Sequence, residues 1–214
     1  MKRILFTLLI WIGFFSLVLS QHNLSEYLFD DYKDATVHFK GNLKSNERVN
    51  YNLLNGKLYF IDKHDNKIKV VSDIEKIAFI KVRDRNFLLD NDGLKEVVST
   101  LPLVYVKYNA KSRRKPSKAA YGGTSQVSSS ANYTELRDGG SHAFLKNDDV
   151  EIFLHYNEYW IEKDGKKKKF TQFKQFIKIY SGHKEQLEQY IKDNNINFED
   201  AEAIVELCRY AENL

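Results

Sequence analysis

The residues with the most chemical look are Tyr121-Gly122-Gly123-Thr124-Ser125-Gln126, two adjacent glycines followed by hydroxyl and amide side chains. A phosphate loop needs glycines five positions apart, then Lys and Ser or Thr, between a strand and a helix. Only then can backbone N–H groups and the lysine close around the phosphates. Here the glycines touch, no lysine follows them and no helical period comes after, so nucleotide binding is unsupported. A nucleophile elbow, G-x-S-x-G, is missing. Ser112-x-x-Lys115 and Ser181-x-x-Lys184 match the first element of a serine acyl-enzyme, but S-D-N and K-T-G are lacking. The expectation is no catalytic serine, and Ser181 reads as a helix cap.

Metal chemistry fares no better. The histidines are scattered, without H-E-x-x-H, and the one cysteine, Cys208, has no ligand-spaced companion. Asp62, His64 and Asp65 read as turn residues, and Asp90 to Gly93 echoes only part of a calcium loop. No metal and no cofactor is expected. Asp148, Asp149, Glu151 and Glu158 are acidic and near aromatics, the minimum for acid–base hydrolysis of a glycan or peptide. Lys111, Arg113, Arg114, Lys115 and Lys118 form the densest basic cluster and suit a polyanion or an anionic membrane surface. The ligand-contact candidates are Tyr121, Gly122, Gly123, Thr124 and Tyr133. Tyr105, Tyr108, Tyr159 and Trp160 are expected to be exposed beside the basic cluster, with Tyr105 and Tyr108 on opposite faces of their strand.

These residues must be carried by definable elements. From Ala35 to Ala110 short alternating runs rich in Val, Ile, Phe and Tyr (36–40, 48–54, 57–62, 77–82, 86–90, 96–100 and 103–109) predict an antiparallel meander. Asn55-Gly56 predicts a two-residue hairpin turn that pairs Leu53 with Leu58 and Tyr51 with Phe60. Asp92-Gly93 predicts another turn. Asp164-Gly165 predicts a third, with Glu162 opposite Lys167 and Tyr159 opposite Phe170. Lys166 to Lys169 then read as a solvated, edge-protecting strand. After Phe170 the period turns helical, in three stripes. The first is Phe173, Phe176, Ile177 and Tyr180. The second is Leu187, Tyr190 and Ile191, closed by Asn194-Asn195. The third is Ala201, Ile204, Val205, Cys208 and Ala211. The fold class is therefore α+β: an antiparallel β domain over 21–110, a Ser/Gly-rich polar loop over 111–142, a β hairpin region over 143–170 and a three-helix module over 171–214.

The start of the chain has Lys2 and Arg3, an apolar run from Ile4 to Leu19, and small residues at Val18 and Ser20. This is the layout of a secretory signal peptide over 1–20, cleaved between Ser20 and Gln21, with no adjacent cysteine for a lipoprotein anchor. No later run is apolar enough for a transmembrane helix. Removing Lys2 and Arg3 leaves a formal charge of +2 from the +4 of the full chain, far from a nucleic-acid binder's surplus. A single thiol in an exported chain means no internal disulfide. Cys208, in step with Ile204 and Ala211, reads as a buried hydrophobe.

Several segments resemble a family of exported proteins of Bacteroidota: 36–42, 49–62, 118–129, 159–170 and 189–210. The resemblance implies a periplasmic or outer-membrane-associated protein of a Gram-negative envelope. It implies no activity, so it transfers no residue role. The expected function is a non-enzymatic binding or interaction module, with another envelope protein, a peptide or a glycan as partner. An exported hydrolase and a polyanion or membrane-surface binder are the alternatives.

Overall fold

A computed structural model of the chain describes residues 24–90, 92–115 and 150–214. The expected leader at 1–20, loop residues Lys118, Tyr121, Gly122, Gly123, Thr124 and Tyr133, and the acids Asp148 and Asp149 lie outside the described residues. In chain order the elements are β1 Lys33–Phe39, β2 Lys44–Asn52, β3 Lys57–Ile61, β4 Ile68–Val70, β5 Ile77–Val82, β6 Arg85–Asp90, β7 Gly93–Thr100, β8 Leu103–Arg114, β9 Val150–Lys163 and β10 Lys166–Phe170. The helices α1 Phe173–Ile179, α2 Lys184–Asp193 and α3 Ala201–Glu212 follow. The chain is a sheet-dominated α+β protein with its helices at the C-terminal end.

One antiparallel sheet takes all ten of these strands, in the order β10-β9-β8-β7-β6-β5-β1-β2-β3-β4. Two runs of neighbour pairings, β1 to β4 and β5 to β10, meet where β5 returns beside β1. The sheet coils strongly. Tyr51 of β2 reaches β7, across the three strands that lie between them, where its hydroxyl accepts a hydrogen bond from the Leu94 N–H at 3.2 Å. At the other edge of this curl, His155 Nε2 of β9 lies 2.7 Å from the Ser25 carbonyl oxygen.

Turn chemistry explains where register follows the sequence and where it departs. Asp164 and Gly165 both take positive φ, 54° and 67°, so a two-residue turn sets Glu162 opposite Lys167 and Tyr159 opposite Phe170, as expected. The Asn55-Gly56 hairpin corrects the expectation: Tyr51 pairs with Leu58 and Val49 with Phe60. Asn52 causes the slip. Its side-chain oxygen accepts from the N–H groups of Leu54 and Asn55 at 2.9 and 3.1 Å, and the Gly56 N–H donates to its carbonyl at 2.9 Å. A slip of two residues leaves each side chain on its original face. Gly93 likewise pairs with Asp90 as the first residue of β7 instead of forming the turn. At φ +106° its missing Cβ would lie 2.5 Å from the Tyr51 hydroxyl, so the curl of the sheet needs glycine there.

Apolar side chains collect in two clusters. One lines the curled strands, with Val37, Val49, Tyr51, Ile80 and Phe87. The other joins Val104, Val106, Tyr159, Ile161 and Phe170 of the sheet to Phe176, Leu187, Ile204, Leu207 and Cys208 of the helices. Tyr108 packs against both. The helical stripes are those of the sequence, and Asn194 ends α2. Asp200 caps α3, accepting from Glu202 and Ala203 N–H at 3.0 and 3.2 Å. Ser181 does not cap α2. It opens a 3₁₀ turn closed by the His183 N–H on the Tyr180 carbonyl at 2.9 Å, and α2 begins at Lys184. Among the described residues no helix is long and apolar enough to cross a membrane.

Candidate functional site

Leu187 is the fully buried residue of α2, so the opposite side of that helix faces out. Glu185, Gln186, Gln189 and Asp193 are exposed on the outer side, Tyr190 lies half-buried beside the Leu187 stripe, and Asn194 follows at the end of the helix. In α3, Leu207, Cys208 and Ala211 turn inward and leave Tyr210 half-buried at the seam between the helices. Tyr190 and Tyr210 stack there, with ring centroids 4.0 Å apart and planes 11° from parallel. Together these residues line an open groove of about 460 Å³.

The rim is partly preset. Gln189 Nε2 donates to Asp193 Oδ1 at 2.6 Å, and Asn194 Nδ2 donates to the Tyr190 carbonyl at 2.9 Å. Gln186 Oε1 lies 3.1 Å from His183 Nδ1. Neither tyrosine hydroxyl has a hydrogen-bond partner among the described residues. The lining holds two carboxylates and no lysine or arginine. Of the adjacent bases, Lys184 pairs with Glu188 at 3.9 Å and Arg209 with Glu206, while Lys192 has no ion-pair partner among the described residues.

Compared with protein-family models, with curated proteins and with solved structures, the chain matches none. The site therefore rests on geometry. None of the residues singled out by sequence motif lies in the groove lining. Tyr190 is legible as a helical stripe residue, but the signal that would mark it, a tyrosine of one helix meeting a tyrosine of the next, exists only once α2 and α3 pack.

The described residues of the basic cluster lie at the end of β8, where it pairs with β9. Lys111 sits 5.1 Å from the Tyr156 ring centroid. Arg113 pairs with Glu151 and lies over Phe153. Arg114 ends β8, and Lys115 is exposed just beyond it. Lys167 and Lys169 stand on β10, at the edge of the sheet, as expected of an edge strand. They cover Tyr105 and Trp160, at 4.4 and 5.1 Å from the ring centroids, while Lys95 covers Trp160 from a second side at 4.7 Å. Tyr105, Tyr159 and Trp160 are accordingly buried, which corrects the expectation of exposed aromatics. Lysine stems and the helical core take up their apolar surface. Tyr108 does face away from Tyr105. Its hydroxyl donates to Glu96 Oε2 at 2.7 Å, and Glu96 holds Arg85 in a two-pronged pair at 2.8 and 2.7 Å.

Of the acids considered for hydrolysis, the two described ones are engaged in ion pairs. Glu158 binds Lys169 at 2.9 Å and Glu151 binds Arg113. Asp62 and Asp65 cap their own turn and share Lys69. Asp90 Oδ1 accepts from the Asp92 N–H at 2.9 Å, which is turn chemistry again. Among the described residues no cluster of His, Cys, Asp or Glu could hold a metal ion. Cys208 is wholly buried, and burial pushes its thiol well above the ordinary range, away from thiolate chemistry.

Proposed function

We propose that the protein is a non-enzymatic binding module of a bacterial cell envelope, with the groove between α2 and α3 as its ligand site. The observation that carries this reading is the stacked Tyr190–Tyr210 pair walled by amide and carboxylate side chains. Tyrosine supplies a broad, stiff contact area at the cost of two torsions, and amides supply adaptable hydrogen bonds; this is the composition of recognition surfaces. The volume falls within the ~300–1,000 Å³ range of ligand pockets. The leader-like start of the chain and the resemblance to exported Bacteroidota proteins support the location. A peptide or a glycan is the ligand class that such a lining accepts.

The acid–base alternative has less support, because Glu151 and Glu158 are already bound to basic partners. Of the basic residues behind the polyanion alternative, Arg113 and Lys169 each face a carboxylate, and Lys111 and Lys167 lie over aromatic rings.

The test is a binding screen of the chain from Gln21 onward against immobilised glycans and peptides, beside turnover assays on ester, peptide and glycoside substrates. Saturable binding that Tyr190→Ala weakens, with no turnover, is the expected result. Steady turnover by the pure protein would overturn the reading.

A further inference from the structure

We infer that the α2–α3 groove selects a neutral saccharide; this rests on the groove being the binding site. Three features of the lining narrow the ligand chemistry.

The first is charge. Glu185 and Asp193 line the groove without a basic residue among them, so no lining side chain would pair with a phosphate, sulfate or carboxylate ligand.

The second is the balance of donors and acceptors. Gln189 spends an N–H on Asp193 Oδ1, and Asn194 spends an N–H on the Tyr190 carbonyl. The side-chain oxygens of Gln189 and Asn194, the second oxygen of Asp193 and both oxygens of Glu185 stay open as acceptors. A ligand rich in O–H groups satisfies such a rim, and it can also accept from the free N–H groups of Gln186 and the two tyrosine hydroxyls.

The third is the arrangement of the rings. A cation-binding cage sets several aromatic faces around the charge. Tyr190 and Tyr210 instead lie nearly parallel at 4.0 Å and spend one face each on the other. That leaves each ring at most one face for a ligand, the flat kind of contact that suits the C–H face of a sugar ring. The exposed carboxylates add little for a cation in open solvent, where an ion pair is worth about 0–1 kcal/mol.

The probes are gluco-, manno-, galacto- and N-acetylglucosamine oligosaccharides, with spermidine and choline as cations and a mixed-sequence peptide library as the third arm. Binding to the chain from Gln21 onward is followed by titration calorimetry and amide chemical shifts. The expected result is one oligosaccharide series that binds with an affinity nearly independent of salt and shifts the α2 and α3 amides. Tyr190→Ala and Asn194→Ala should each weaken it about tenfold or more, and Tyr210→Phe, which keeps the fold and the ring, should weaken it less. Binding of spermidine or choline alone, abolished by salt, would overturn the saccharide assignment while leaving the groove as the site, and so would peptide binding in the groove. Saccharide binding that these variants leave unchanged, or no binding by any probe, would overturn the groove itself.

Discussion

Glu96 is the residue on which the junction of the two apolar clusters depends. It is buried, it accepts from Arg85 twice and from Tyr108 once, and Tyr108 packs against both clusters. Arg85 also lies 5.4 and 5.0 Å from the ring centroids of Phe29 and Phe87, so its guanidinium is framed by aromatics. Glu96→Ala leaves a guanidinium and a phenol without their acceptor. Urea unfolding should show a loss of about 2 kcal/mol, in the range for orphaning a buried partner. Tyr108→Phe deletes one hydrogen bond and leaves Glu96 still paired with Arg85, so it should cost about 1 kcal/mol. Cys208 gives a second residue-scale expectation. Wholly buried, with its thiol pKa raised by burial and then by Glu212, it should react with a thiol reagent only as fast as the protein unfolds. Rapid labelling in native buffer would contradict its placement.

Among the elements, β7 and α3 are the most exposed to single changes. Gly93 opens β7 where the Tyr51 hydroxyl fills the Cβ position, and its φ of +106° is disfavoured for any L side chain. Gly93→Ala should therefore cost more than the ~1 kcal/mol typical of a strained glycine replacement. Gly165→Ala, at φ +67° with nothing within 4 Å of the new Cβ, should cost less. The contrast, read in the same unfolding series, separates close approach from backbone strain. Asp200 holds two N–H groups of α3. Asp200→Ala should remove about 1 kcal/mol and, because Tyr210 rides on α3, should loosen the groove before the sheet, visible as faster amide exchange in α3.

At the scale of the whole molecule, the helices and the sheet share one core. Leu207 and Phe176 are fully buried against Val104, Val106 and Tyr159. Leu207→Ala should cost about 3 kcal/mol and lower the stability of sheet and helices together; two separate transitions would show that the helices melt alone. Alkaline stability follows from the tyrosines. Burial first, then the neighbouring Tyr27 and Tyr59, raise the pKa of Tyr32 from 10.0 to about 12. A phenol with a raised native pKa contributes its full stability below the unfolded value and loses it as pH rises through the native one. Stability should thus decline between pH 10 and about 12. Burial raises Tyr51 in the same direction. Tyrosinate absorbance should rise together with the loss of near-ultraviolet dichroism, and Tyr32→Phe should shift that transition to higher pH.

The amino-acid sequence by itself determined whatever is set by neighbours along the chain. Alternation placed the strands other than β4, the 3.6-residue period placed three helices, and Asp164-Gly165 set the β9–β10 register, because these signals need only local backbone geometry. The same locality hid the side-chain competition at Asn52, which moved a register by two, and the true neighbours of Trp160, which Lys95 of β7 and Lys169 of β10 cover. The coil of the sheet that brings Tyr51 to Leu94, the Arg85–Glu96–Tyr108 network and the stack of Tyr190 on Tyr210 were decided only by tertiary structure. Each joins residues from different elements, and which elements meet follows from how the apolar faces close on one another.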